Sequence, residues 1–408
     1  MNNNNISLPS KHQVEYLVGD PAFFNSKIVL APFNETVIEF LSELSRKILS
    51  NSNAKRYPDV ITFGYWCRSA NLKKMLSNYP LLNNRKGVGI VFHIAPSNVP
   101  VNFAFSYVFS LLSGNISIVR VPTKPFEQVS IISTIIDDIL KDSRFDIIRC
   151  NTYFIRYQQN DSITEILSSI SNARIIWGSD ETVNKIKSIK TASKTIDIPF
   201  SERYSFAIFG ADAILAADEL QLKRLIDGFF NDTYLMDQNA CSSPQLILWY
   251  SNDKEIINSA KQKFWNALLK KVNNEYELAA KSSVDKLTLM CMDLVSNKEV
   301  DKIETNTNFI YKVDLKKLPD SILRLQGKYG YFYQYSISDI NEIAEIMEIK
   351  IQTLTYFGIE KKDLFSVVYN SGNLGIDRIV PVGSALDIGI IWDGFDMIYT
   401  LSRIIDLK

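Results

Sequence analysis

An α/β protein with a mostly parallel sheet, followed by a second α/β unit, is the fold this sequence predicts. From Gly87 to Trp177, short apolar runs alternate with amphipathic helical stretches, the pattern of βαβ units whose strands are covered on both faces. At 408 residues the chain is too long for one ordinary core, so two domains are expected. The last third repeats the alternation, starting from an apolar strand at Leu246 to Tyr250. These features place the boundaries at 1–235, 236–375 and a C-terminal segment 376–408 that packs back or mediates oligomerisation.

The elements follow in order. Residues 1 to 30 read as irregular or short strands. Asn34 can cap a helix to about Leu49 that buries Val37, Ile38, Phe40, Leu41, Leu44 and Ile48. Asp59 to Leu76 offers a second helix. Gly87 to Ile94 is a strand, Ala95 to Pro100 a turn, Val101 to Leu112 a helix stopped by Gly114, and Ile116 to Val121 a strand. Another unit places helices at Phe126 to Leu140 and Ile163 to Ile170, and strands at Asn151 to Arg156 and Ala173 to Trp177. Further on, helices are expected at Ala217 to Phe230 and Glu255 to Val272, with mixed segments to Leu325. The end of the chain reads as a tyrosine-rich strand at Tyr329 to Tyr335, a helix at Ile340 to Glu348, strands near Ile351 to Phe357 and Leu364 to Tyr369, and a helix at Met397 to Ile405. Tyr329, Tyr331, Phe332, Tyr333 and Tyr335 line either an acyl pocket or an ordinary buried strand.

Composition narrows the function. Hydrophobic residues at 46% and charged residues at 22% describe a globular chain. Forty-five basic residues balance forty-five acidic ones, so no overall field draws in nucleic acid or an anionic membrane. The lysines of 261–271 read as the solvated face of a helix. Val88 to Val121 is too broken by polar residues, proline and glycine to span a bilayer, and Met1 to Ser7 lacks a basic and apolar leader. A cytoplasmic protein is therefore expected. The four cysteines are scattered without a Cys-x-x-Cys, which suits a reducing compartment, and with only His12 and His93 there is little to build a metal site or a Ser-His-Asp triad.

That leaves a nucleophile or a bound cofactor as the source of chemistry. Cys241 stands among small polar residues between a helix and a strand, where reacting groups tend to be placed; the competing reading is a small core residue. Two strand-to-helix turns are also equipped for function. Asn98 follows the first strand, and Gly178-Ser179 follows the strand ending at Trp177. The latter pair either admits a phosphate to free helix amides or is an ordinary N-cap.

The chain contains, in order, His93-Ile-Ala-Pro-Ser-Asn98-Val-Pro, Gly114-Asn115 with Ile118-Val-Arg120-Val-Pro122, Ile176-Trp-Gly-Ser179, Gln238-Asn-Ala-Cys241-Ser-Ser-Pro244, and Arg378-Ile-Val-Pro-Val-Gly383 with Trp392-Asp-Gly394. Taken together, these segments resemble the LuxC acyl-CoA reductases. The resemblance implies an aldehyde-dehydrogenase-like fold, with an NAD(P)-binding domain in 1–235 and the catalytic cysteine domain in 236–375. It implies reduction of an acyl thioester, from CoA or from a protein, through an acyl-cysteine on Cys241. Asn98 and the Cys241 amide would hold the oxyanion, while Arg120, Gly178 and Ser179 would hold the cofactor. Arg120 favours NADPH, with NADH possible; a surface ion pair is its structural alternative. Phe200 falls near the place of the glutamate that activates water in hydrolytic relatives, and Glu202 is close by. An acyl-protein synthetase or transferase partner and a homo-oligomer are further expectations. The alternatives are a CoA-dependent or hydrolytic aldehyde dehydrogenase, or a noncatalytic subunit docking an acyl-activating partner.

Overall fold

The computed structural model describes residues 7–24, 28–96 and 99–408; Asn98 and the first six residues lie outside them. The chain forms two compact units, one comprising residues up to Ser201 together with Gly389–Lys408, the other Glu202–Ile388. Residues 202–235, assigned to the first domain from sequence, pack with Cys241 in the second unit.

In the first unit a six-stranded sheet runs in the order Glu15–Val18, Thr152–Arg156, Ile116–Arg120, Ile90–Ile94, Ala173–Trp177, Ile196–Phe200. The first strand is antiparallel to its neighbour and the other pairings are parallel. The four strands between the two edges are buried up to their last residues, which is why they read as unbroken apolar runs. From Ile90–Ile94 the chain steps one way to Ile116–Arg120 and Thr152–Arg156, then returns to the opposite side at Ala173–Trp177. That reversal is a topological switch point, where open α/β sheets bind ligands beyond the strand ends.

Local sequence explains the helices around this sheet. Asn34 Oδ1 accepts from the Thr36 amide at 3.0 Å and starts the helix Glu35–Ser50, whose expected stripe is buried except at Ile38, which is half-buried. The Asp59 to Leu76 stretch is two helices, Pro58–Trp66 and Ser69–Leu76. Helix Asn102–Leu112 is buried from Phe103 onward, as expected for one hydrophobic all round. Among the described residues no helix is long and apolar enough to cross a membrane.

The second unit holds a seven-stranded sheet in the order Val300–Thr307, Ile310–Leu315, Tyr331–Ile337, Leu246–Tyr250, Tyr204–Gly210, Ile351–Phe357, Arg378–Pro381. Alternate residues of its central strands feed two cores. Phe206, Ile208, Leu248 and Tyr333 lie in one, and Phe209, Trp249 and Phe332 join the helix residues Phe229 and Phe264 in the other.

Several expectations need correction here. Leu364 to Tyr369 is part of the helix Lys361–Asn370, not a strand. Leu364, Val367 and Val368 turn to the core while Phe365 and Tyr369 stack outside with ring centroids 5.5 Å apart, a helical spacing hidden in a run of strand-forming residues. The helix at 340–348 shrinks to Glu342–Glu345. Instead of helix to Ile405, the chain makes a turn at Met397–Thr400 and then a strand, Ser402–Ile404, paired with Arg85–Gly87. The mixed segments contain the helix Ala280–Ser296 and two strands, and Tyr204–Gly210 is a strand that was not expected.

Candidate active site

Cys241 is exposed, on the loop that leads into the amino end of the strand Leu246–Tyr250. The loop is far from mobile in its construction. It begins after the helix Glu219–Thr233, which Asp218 and Gln221 close with a capping box, and after a turn of 3₁₀ helix at Tyr234–Met236. Asp237 and Gln238 then both take left-handed backbone, with φ of 51° and 59°. Such residues persist only where their surroundings hold them, and here they are held several times over. Asp237 Oδ1 accepts from Tyr276 Oη at 2.7 Å, and the Asp237 carbonyl accepts from the Tyr329 amide at 3.1 Å.

Gln238 is 1% exposed and its amide is used on both sides. Oε1 accepts from the Gly330 and Tyr331 amides at 3.1 and 3.2 Å, while Nε2 donates to the Pro244 and Tyr331 carbonyls at 3.0 and 3.1 Å. One side chain thus spans the loop from before Cys241 to after it. Ser205 Oγ donates to the Cys241 carbonyl at 2.7 Å, fixing the peptide next to the thiol. The Gln245 amide donates to Ser205 O at 3.0 Å, and Gln245 Oε1 accepts from Gly327 at 3.0 Å.

The Arg378 to Gly383 motif is joined to this loop by Asp232, a residue sequence reasoning passed over. Ser243 Oγ donates to the Asp232 carbonyl at 2.7 Å, and the Asp232 carboxylate accepts from the Gly383 and Ala385 amides at 2.6 and 2.9 Å. Arg378 donates to the Ala385, Ser384 and Asp387 carbonyls, each at 2.8 Å. The loop crosses the preceding helix at Gly228 and Gly383, where a Cβ on either would meet the other's backbone at 3.0 Å. Burial pushes the Asp232 carboxyl up to about 6 despite its two amide donors.

In the first unit, Gly178 and Ser179 follow the strand Ala173–Trp177 on one side of the switch point. Ser179 Oγ caps the helix Asp180–Lys187 by accepting from Thr182 at 3.3 Å, and a Cβ on Gly178 would meet Thr182 at 2.8 Å. The N-cap reading therefore holds, and the close approach of Thr182 leaves no room for a side chain at Gly178. Arg120 ends the strand Ile116–Arg120 on the other side of the switch point, with Ile90–Ile94 between, and its guanidinium lies 4.4 Å from the Tyr157 ring centroid; it forms no ion pair among those described. His93 is a core residue, bonded to Ser106 Oγ at 2.8 Å and held neutral because burial lowers it to about 3.

Phe200, expected from the resemblance to fall near the hydrolytic glutamate's place, is 3% exposed and stacks on Trp177 at 4.2 Å. Trp392, from the Trp-Asp-Gly turn, meets Trp177 at 4.8 Å and Phe200 at 5.7 Å. Glu202 is exposed on the connection to the strand Tyr204–Gly210. The aromatic strand takes its ordinary buried reading: Tyr331, Phe332 and Tyr333 are core residues, and both tyrosine hydroxyls donate to Asp293 Oδ2, at 2.6 and 2.7 Å. Of the 261–271 lysines, Lys261 pairs with Asp314 and Lys271 with Asp227 and Glu275, leaving no concentrated basic patch.

No curated protein matches the sequence. Aldehyde dehydrogenase 21 from Physcomitrella patens, solved with the product succinate, superposes with a TM-score of 0.56 at 13% identity, over 88% of this chain and 78% of that one. An apo betaine aldehyde dehydrogenase from Staphylococcus aureus gives 0.58 at 13% identity, over 88% and 77%. A lactaldehyde dehydrogenase gives 0.54 at 12%, over 85% and 76%. At these identities the likeness is one of fold, and the fold is that of the aldehyde dehydrogenases. A family model described as acyl-CoA reductase (LuxC) matches residues 68–405. With that match spanning both units and every motif from Asn98 to Trp392, the chain belongs to the LuxC acyl-CoA reductase family.

Proposed function

We propose that this protein reduces an acyl thioester, a fatty acyl-CoA in the first instance, to the aldehyde through an acyl-cysteine on Cys241, with NADPH as the reductant and NADH as a possible substitute. The observation that carries the reading is the loop around Cys241: an exposed residue whose flanking backbone is fixed by Ser205 and Gln238. As a thiolate, Cys241 Sγ attacks the thioester carbonyl, the bond to the CoA sulfur breaks, and CoA leaves as a thiolate. One thioester replaces another, so no strong acid is needed. Asn98 and the Cys241 N–H hold the oxyanion that develops, a type of contact whose loss lowers rates by about a hundredfold or more.

The residues present suit a dinucleotide. Gly178 keeps the turn free of a side chain, Ser179 opens a helix whose start favours an anion, and Arg120 offers a planar cation at a strand end across the switch point. A nicotinamide cofactor, when bound, supplies the hydride. Phe200 is no base, and without a base to activate water an acyl-cysteine resists hydrolysis. Release of the aldehyde returns the Cys241 thiol. The acyl donor is CoA or a partner protein's thioester, which leaves room for an acyl-activating partner; a cytoplasmic homo-oligomer is the form we expect.

Intact-protein mass after mixing with a panel of acyl-CoAs tests this. Wild type gains one acyl mass that NADPH discharges as aldehyde, and Cys241→Ala gains none. Because Cys291 is also exposed, Cys291→Ala serves as a control that keeps the acyl mass. If no thioester acylates Cys241 in the folded protein, free acyl-CoA is not the donor. Free acid formed from aldehyde and NADP+ without CoA would instead mark a hydrolytic dehydrogenase.

A further inference from the structure

Beyond the thiol itself, the second unit contains a hydrogen-bonded clasp that fixes the path of the cysteine loop. Two left-handed backbone pairs face each other: Asp237 and Gln238, with φ of 51° and 59°, and Tyr329 and Gly330, with φ of 60° and 83°. They lie about 90 residues apart in sequence and are joined by the Tyr329 amide on the Asp237 carbonyl and by the Gln238 side chain. Lys286, 1% exposed, reaches in from the helix Ala280–Ser296 and donates to the Tyr329 carbonyl at 2.8 Å and to the Asn308 carbonyl. A Cβ on Gly330 would meet the Phe309 carbonyl at 2.1 Å, so the second turn admits only glycine there.

Three of the four left-handed residues are not glycine, and each carries a backbone strain of order 1–3 kcal/mol. A loop that needed only to connect a helix to a strand has cheaper conformations. The one that is held places the Pro244 carbonyl on Gln238 Nε2, the Cys241 carbonyl on Ser205 Oγ and Ser243 Oγ on Asp232.

We propose that Gln238 is a positioning residue for acyl transfer to Cys241: its buried amide, clasped by the Tyr329–Tyr331 turn, sets the direction from which the thiol meets the acyl carbonyl. The inference rests on the reading that Cys241 accepts the acyl group. Gln238 touches no reacting atom and acts through the backbone on either side of Cys241. A misplacement of about 1 Å in such a geometry lowers a rate on the order of a hundredfold, whereas binding of the CoA moiety has no reason to change.

The test compares wild type, Gln238→Met, Gln238→Glu and Ile132→Val, the last a mild core change in the other unit. Three quantities are read: the rate constant and half-saturation concentration for single-turnover acylation by acyl-CoA, the rate of iodoacetamide alkylation at Cys241, and the thermal midpoint. Wild-type acylation at Cys241 tests the underlying reading by itself, before any variant is considered. Gln238→Met keeps length and loses all four hydrogen bonds. It is expected to acylate ~30- to 100-fold more slowly, with half-saturation and alkylation rate within about twofold of wild type, as a thiol unchanged in chemistry but misdirected requires. Ile132→Val matches wild type in all but the midpoint. Acylation by a folded Gln238→Met within about threefold of wild type overturns the proposal, as does a loss of alkylation equal to the loss of acylation.

Should Gln238→Met fail to fold, Gln238→Glu decides. A protonated carboxyl restores the acceptor and one of the two donors that the amide supplies, while a carboxylate faces the Pro244 and Tyr331 carbonyls with no donor. The acylation rate of Gln238→Glu relative to wild type, taken at each pH, is expected to rise as pH falls from 8 towards 5. A ratio that does not change with pH overturns the positioning role.

Discussion

Cys241 and Arg120 make separate demands on their surroundings, and each can be tested by one side chain. Arg120 presents a guanidinium that rests against Tyr157, so its planar face is used while its N–H edge remains for an anion. If that anion is the 2′-phosphate of NADPH, a charge-assisted contact worth about 1.5–3 kcal/mol is at stake. Arg120→Ala should then raise the KM for NADPH roughly 10- to 100-fold and leave that for NADH nearly unchanged. Arg120→Lys, which keeps the charge without the fork, should fall between. Steady-state kinetics with both cofactors checks this, and an equal loss with each would return Arg120 to a structural role.

At the scale of elements, the conformation of a loop is set by what it is tied to. Asp232 links the cysteine loop to the Gly383–Ala385 turn, and burial raises its carboxyl from the ordinary value to about 6. The unfolded chain titrates near 4, so between about pH 4 and 6 the folded state binds a proton that the unfolded state has lost. Asp232 therefore contributes stability below about pH 4 that is lost as pH rises through about 6, up to roughly 2–3 kcal/mol at ~1.4 kcal/mol per pKa unit. Urea unfolding of wild type and Asp232→Asn across pH 4 to 8 should show their difference changing in that window; a constant difference would mean the carboxyl is ionised throughout. Gly330→Ala should be worse than a usual glycine replacement, since it adds a backbone collision to a left-handed residue. A loss of about 2 kcal/mol or more in the same assay is expected.

The same ties explain what the sequence made legible. Strands such as Ile90–Ile94, Ala173–Trp177 and Leu246–Tyr250 are buried along their length, so composition alone betrayed them. Helix Ala280–Ser296 did not stand out because Val284, Leu287, Leu294 and Val295 are exposed, which blurs the apolar stripe that periodicity needs. Cys241, Arg120, Gly178 and Ser179 could be singled out by residue type and by their place at element ends. Gln238 and Asp232 could be given no role from sequence. Their partners at Gly330, Tyr331, Gly383 and Ala385 lie some 90 to 150 residues along the chain, and no local pattern encodes a contact at that distance.

For the whole molecule, the chain path has a consequence of its own. The second unit is an insertion: the chain leaves the first unit at Ser201 and returns at Gly389. The returning segment completes the first unit. Ser402–Ile404 pairs with Arg85–Gly87, the Asn115 amide group donates to the Leu401 carbonyl at 2.8 Å, and Trp392 packs on Trp177. Arg85 fastens it, donating to Ser402 Oγ and to the Tyr399 and Ser402 carbonyls at 2.6 to 2.8 Å with Tyr399 under its guanidinium. Removing three such bonds at a half-buried site should cost about 2 kcal/mol. Arg85→Ala should therefore lower the thermal midpoint by a few degrees and speed amide exchange at Ser402–Ile404. Exchange in the cysteine loop should stay as it is, because no described bond of Arg85 reaches the second unit. Faster exchange in both places would show that the two units open together and that the closing segment stabilises more than the sheet it joins.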